Sequence, residues 1–253
     1  MSDLEDKLAR SLSGETAKLN PFLPYLLQDL WELGTMPEDI LALLSTHVPV
    51  SPQTCMLDLA CGKGAVSVRL ADALQCHVKG IDLLPEFIDY AREKAVEYGV
   101  QTRCSFAVGD INEAVSFERG YDVVILGAVG DVMGDPPETL QKLRQVINPG
   151  GYIILDDAFT SEGSGIDYYT KADWLAAFLA ANLAVVEEQP VDPAKMDAVN
   201  TANQSNIERR ANELKILHPE IAYLFQRYIE SQQSECNALS DALTGVTWLL
   251  QKN

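Results

Sequence analysis

The sequence predicts an α/β fold: a mostly parallel, doubly wound sheet of seven strands with helices on both faces. Strand-like and helix-like stretches alternate from about residue 54 to 157. The strand-like stretches are continuous apolar runs, the pattern of strands buried on both faces. Acids stand at the ends of three of them, Asp58, Asp82 and Asp110, on the edge where open parallel sheets take their ligands.

Each element has its own signal. "CMLDLA" is a first strand and residues 64–74 a helix. "CHVKGIDL" is a second strand that ends at Asp82. Pro85 suits the first turn of a helix, where its missing N–H costs nothing. Ile88, Ala91, Ala95 and Tyr98 recur at helical spacing behind it, and Gly99 is the expected terminator. "CSFAVGD" and "YDVVILG" are strands three and four. "TLQKLRQVI" is a helix stopped by "NPGG", and "YIILDD" is a fifth strand. Residues 173–182 read as a helix and "LAVVEEQPV" as a sixth strand. Residues 194–243 are mostly helical, split at His218-Pro219, and "GVTWLLQK" is the last strand. The first fifty residues are helical, punctuated by Pro21, Pro24, Pro37 and Pro49. One domain over residues 1–253 is therefore expected, with a helical cap (1–50), a ligand-binding core (54–160) and a helical insertion (194–243) before the last strand.

Composition narrows the function. A formal charge of −18 repels phosphate backbones, and no basic cluster offsets it, so nucleic acid is disfavoured as a partner. No apolar run approaches a membrane span, and the charged start "MSDLEDKLAR" lacks the apolar segment of a signal peptide. A cytoplasmic protein without membrane contact is expected. The five cysteines form no C-x-x-C pair and the three histidines are far apart, so no metal site is expected and the thiols should be reduced.

The stretch "MLDLACGKGAVSVRL" carries the chemistry. An acid, Asp58, precedes a small-residue turn in which Gly62 and Gly64 permit close approach or backbone angles that a Cβ would block. Asp82, at the end of the second strand, is placed to accept both hydroxyls of a ribose, and Asp110 ends the third. Singly, Asp58 and Asp110 could equally be helix-capping acids, and Gly64 could serve only strand–helix packing. Jointly, their spacing favours a binding constellation suited to a nucleoside. The turn matches G-x-G-x-x-G only in its first two glycines, with Ser67 at the third. Acid beside the turn opposes a pyrophosphate and suits a ligand carrying an amine and a sulfonium, which favours S-adenosylmethionine over NAD. Cys61, with no histidine near it in sequence, reads as a small filler.

These stretches, with "GIDLLPEFIDYAREKA", "FAVGDINEA", "YDVVILGAV" and "LRQVINPGGYIILDDAF", resemble the successive motifs of class I S-adenosylmethionine-dependent methyltransferases over about residues 54–160. The resemblance implies a Rossmann-like domain, S-adenosylmethionine as cofactor and methyl transfer to a small-molecule acceptor. It implies that Asp58, Ala60, Gly62 and Gly64 hold the methionine part, and that Asp82 binds the ribose with Leu83 beside the adenine. It further implies Asp110 at the adenine amino group, Ile111 as its backbone neighbour, and Gly127 near the sulfonium. Ala60 departs from the family, many of whose members have glycine there.

The acceptor side is less marked. Asp131 follows strand four, Asp157 ends strand five, and Tyr25 lies in the cap; these three are the candidate catalytic residues. Asp156-Asp157 is similar to the metal-bearing acids of catechol-type members, but "ILGAVG" offers no acid at the end of strand four, so no metal is expected. Two other readings stay open: a cofactor-binding protein whose insertion contacts other proteins, and an enzyme using the cofactor for other chemistry. A homodimer would form through the cap or the insertion.

Overall fold

The computed structural model describes residues 3–165, 167–241 and 243–253. The chain forms two compact units: Trp31–Phe159 with Tyr168–Pro190 and Gly245–Asn253, and Met1–Leu30 with Thr160–Asp167 and Val191–Thr244.

The larger unit is built on one sheet. Its strands are β1 (Cys55–Leu59), β2 (His77–Asp82), β3 (Cys104–Val108), β4 (Tyr121–Leu126), β5 (Ile147–Thr160), β6 (Leu183–Pro190) and β7 (Leu243–Lys252). They lie in the order β3-β2-β1-β4-β5-β7-β6. The pairs among β1–β5 are parallel, and β6 runs antiparallel to β7. The order reverses between β1 and β4, so a crevice opens beyond their carboxyl ends.

In chain order the helices are α1 (Asp3–Ser11), α2 (Leu23–Leu26), α3 (Pro37–His47), α4 (Ala65–Leu74) and α5 (Pro85–Glu97). They continue with α6 (Ile111–Phe117), α7 (Pro136–Val146), α8 (Lys171–Ala180), α9 (Pro193–Leu217) and α10 (Ala222–Asp241). Alternate residues of each central strand feed opposite faces of the sheet. Val124 and Leu126 of β4 join a core with Leu140 and Leu143 of α7 and Trp174 and Phe178 of α8. Val123 and Ile125 join the other, with Ile40 and Leu44 of α3 and Val68 and Ala71 of α4. Both faces are thus apolar, which is why these strands read as unbroken runs.

The first fifty residues divide. Helix α3 covers one sheet face, whereas α1 and α2 belong to the smaller unit with α9 and α10. That unit has its own core, in which α9 buries Ile207, Ala211 and Leu214 at helical spacing and α10 buries Leu224, Phe225 and Tyr228. An ion-paired cluster lies at its surface: Arg210 grips Asp29 through Nε (2.5 Å) and Nη2 (2.9 Å), and reaches Glu213 through Nη1 (3.0 Å).

Three elements differ from expectation. Helix α6 has seven residues, and its buried Ile111, Ala114 and Val115 span a single turn, too little to mark a helix in the sequence. Strand β5 begins at Ile147, so "NPGG" is a bulged strand start in which Gly150 takes a φ of 74° and the register slips against β4. Helix α8 begins earlier than its apolar residues indicate because Thr170 and Asp173 form a reciprocal capping box. No helix among the described residues is long and apolar enough to cross a membrane.

Candidate functional site

The turn after β1 winds through three left-handed residues: Ala60 (φ 54°), Gly62 (φ 53°) and Gly64 (φ 73°). Ala60 adopts this conformation against the clash of its own Cβ, a local strain of roughly 1–2 kcal/mol. A Cβ at Gly64 would lie 2.7 Å from that of Ala91 and 3.1 Å from the Phe106 ring, so this glycine answers to α5 and β3. The end of β2 organises the turn. Asp82 Oδ2 accepts the Gly62 N–H at 2.8 Å, its Oδ1 accepts the Leu84 N–H at 3.0 Å, and the Cys61 N–H donates to the Ile81 carbonyl at 3.0 Å.

Asp58 is buried, and its Oδ2 accepts the Ser67 hydroxyl at 2.6 Å. Burial pushes its carboxyl up to about 7; the Ser67 hydrogen bonds oppose this and the neighbouring Asp82 adds to it. Burial also raises Asp82, against the pull of its backbone N–H partners. The Cys61 thiol is pushed well above its ordinary range by burial and by both acids, and it packs where a side chain on Gly80 would collide with it. That disfavours the thiolate a nucleophile needs. Asp110 caps α6 by accepting the Asn112 N–H at 2.8 Å, with Ile111 buried behind it and Leu83 half-buried beside Asp82. The acids at β1, β2 and β3 therefore line adjacent positions along one edge.

Beyond β4 and β5 a cleft is lined by Gly127, Asp131, Pro136, Leu155, Asp157 and Trp174, among others. Asp157 accepts the Tyr168 hydroxyl and the Ala158 N–H, each at 2.7 Å; burial holds its carboxyl above the usual range, and Asp131 adds to this. Two of the three candidate catalytic residues thus share one cleft with Gly127. Tyr25 lies in the smaller unit, where its hydroxyl donates to Glu213 at 2.6 Å beneath the Arg210 guanidinium. Among the described residues no group of three or more His, Cys, Asp or Glu could hold a metal ion.

Sequence reasoning placed Trp31 in the helical cap but missed the contacts that the segment Trp31–Met36 makes. Trp31 Nε1 donates to the Lys63 carbonyl at 3.1 Å, Leu33 abuts Gly62, and Thr35 Oγ1 accepts the Ala128 N–H at 3.1 Å. Lys63 is itself buried, its ammonium 4.9 Å from the centre of the Tyr90 ring. It also missed Asn112 and Lys142, which hold the carbonyls of Val132 (3.1 Å) and Met133 (2.5 Å) and so fix the loop that carries Asp131. These are partnerships across distant segments, and no local spacing announces them.

A family model described as a methyltransferase domain matches residues 51–223. Malonyl-[acyl-carrier protein] O-methyltransferase of Halalkalibacterium halodurans is 24% identical over 163 residues, 54% of this chain and 59% of that protein. The 27-O-demethylrifamycin SV methyltransferase of Amycolatopsis mediterranei is 27% identical over 114 residues, 45% and 42% of the two chains. The chain thus spans about half the length of these curated relatives. Among solved structures, an S-adenosylmethionine-dependent methyltransferase of Geobacter sulfurreducens in complex with S-adenosylhomocysteine superimposes with a TM-score of 0.77. It is 20% identical, and the match covers 92% of this chain and 98% of that one.

Proposed function

The chain belongs to the methyltransferase-domain family, and from that premise we propose that it transfers a methyl group from S-adenosylmethionine to a small-molecule acceptor. The observation that carries this is the row of carboxylates at the ends of β1, β2 and β3 around a left-handed turn. Acids there repel a pyrophosphate and suit a ligand with ribose hydroxyls, an adenine amine and a methionine ammonium. The residues fit that ligand. Asp82 retains lone pairs for ribose hydroxyls after taking its backbone N–H groups, with Leu83 against the base. Asp110 and the backbone of Ile111 take the adenine edge. Asp58 and the Ala60–Gly64 turn hold the methionine part, and Gly127 borders the reacting end.

When bound, the cofactor supplies a methyl group already activated by its sulfonium. The chain's own task is then to align an acceptor lone pair and exclude water. The cleft containing Asp131 and Asp157 is the acceptor site in this reading. Its two acids favour a neutral or cationic acceptor over a phosphorylated one, and Asp157 is the group placed to orient it or take a proton. A cytoplasmic location fits the five free thiols. In thermal melts, S-adenosylhomocysteine should stabilise the protein and NAD should not. Methyl release should occur over a metabolite panel and not on tRNA or DNA. Stabilisation by NAD alone would sink the reading.

Asp58 makes binding pH-dependent. A carboxyl raised to about 7 by burial favours its protonated form in the folded protein, so the ligand-free protein loses stability as pH rises from the ordinary carboxylate range to about 7. An ammonium beside Asp58 favours the ionised form. Below pH 7, binding S-adenosylhomocysteine should therefore release a proton, and affinity should climb by up to about tenfold per pH unit until it flattens above 7. Calorimetry in buffers of different ionisation enthalpy measures that proton. The ligand's own amine, beside its carboxylate, stays protonated through this range, and Asp58→Asn is the control for every other titrating group. Equal proton release in parent and variant would show that Asp58 does not face the amine.

A further inference from the structure

Resting on that reading, we propose that Thr35 is a positioning residue that sets the Gly127–Ala128 peptide at the methyl-donor end of the crevice. Thr35 Oγ1 accepts the Ala128 N–H at 3.1 Å. A hydroxyl that accepts there can still donate its one proton elsewhere, and Thr35 lies beside Asp156, whose carboxyl it lowers against the effect of burial. Asp156 Oδ1 also accepts the Thr247 hydroxyl at 3.2 Å. Thr247 of β7, Asp156 of β5 and Thr35 thus stand together behind the end of β4.

The arrangement has a chemical logic. The peptide plane makes the Gly127 carbonyl antiparallel to the Ala128 N–H, so pinning the N–H fixes the direction of that carbonyl as well. An acceptor of fixed direction is what a cationic amine or sulfonium beside β4 requires. Gly127 is open to this contact because it has no side chain: a Cβ there would lie 2.5 Å from Thr35 Oγ1. Asp156 and Asp157 are consecutive on a strand and point to opposite faces. One lines the cleft while the other, 8% exposed, works behind it. A carboxylate buried against two hydroxyls is costly to keep. Its retention makes sense if the geometry it imposes is used.

The test compares Thr35→Val, Thr35→Ser, Asp156→Asn and Asp156→Leu by thermal melting and by calorimetric titration with S-adenosylhomocysteine. Valine keeps the shape and removes the hydroxyl, so Thr35→Val should melt somewhat below the parent, remain folded, and bind roughly five- to thirty-fold more weakly. Thr35→Ser should bind within about twofold of the parent, because the hydroxyl returns. Asparagine still offers an oxygen to Thr35, so Asp156→Asn should retain most of the affinity that Asp156→Leu loses. Parental affinity in Thr35→Val, or a serine variant as weak as the valine one, would overturn the inference alone. A parent that does not bind S-adenosylhomocysteine overturns the functional reading and this inference with it.

Discussion

Gly64→Val is expected to cost roughly 2–5 kcal/mol of folding stability and, in any molecules that remain folded, to abolish cofactor binding. Two separate penalties meet at this position. The backbone takes a φ of 73°, which a β-branched residue adopts only under strain. The new Cβ would also be driven into Ala91 of α5, 2.7 Å away, and into Phe106 of β3, 3.1 Å away. Neither neighbour is the far end of a flexible side chain, so α5 and β3 would have to move together. Gly64 is the residue from which α4 begins, and its N–H closes the turn by donating to the Cys61 carbonyl at 2.9 Å. The damage therefore reaches the cofactor through displaced backbone. Such a loss is a large share of the 5–15 kcal/mol that holds a domain folded. Thermal melting and titration with S-adenosylhomocysteine read the two effects, and a variant with parental melting temperature and affinity would contradict the close-packing account.

The same glycine shows where the sequence is legible and where it is not. The turn, the strand-end acids and the alternation of elements are local features, recorded in residues adjacent in the chain. Hence the sheet and the row of Asp58, Asp82 and Asp110 could be read directly. What Gly64 packs against could not, because Ala91 and Phe106 reach it through the fold. Ala60 is a sharper case. It stands where many family members have glycine, and the turn demands a left-handed backbone there, so the substitution carries strain that spacing does not display. Thr35 was silent for another reason. A lone threonine after a tryptophan-bearing segment has many roles open to it, and only the sheet topology brings it to Ala128 and Asp156. Tyr25 shows the same limit. Named from its place in the cap, it donates its hydroxyl to Glu213, a partner 188 residues along the chain.

Asp82→Ala should weaken S-adenosylhomocysteine binding by about thirty-fold or more, some 2–4 kcal/mol, if the carboxylate makes paired charged hydrogen bonds to the ribose. A second loss follows from its backbone partners. The carboxylate takes the Gly62 N–H on one oxygen and the Leu84 N–H on the other, so alanine strands two donors and should cost roughly 1–3 kcal/mol of stability. Asp82→Asn separates these contributions. Its carbonyl oxygen can satisfy one backbone N–H, but its NH₂ group must then face the other, where donor meets donor. Asparagine should therefore recover part of the affinity while remaining less stable than the parent. Both quantities need measuring on the same variants, by calorimetric titration and by denaturant unfolding. If alanine loses stability and still binds like the parent, Asp82 only ties the turn to β2 and the ribose lies elsewhere. If it loses affinity well beyond the loss that turn disorder imposes in Gly62→Ala, the carboxylate itself meets the ligand. The geometry favours the second outcome, because an acid whose two oxygens are each held by a backbone donor has its remaining lone pairs fixed in place, and that is the preorganisation a ribose diol requires.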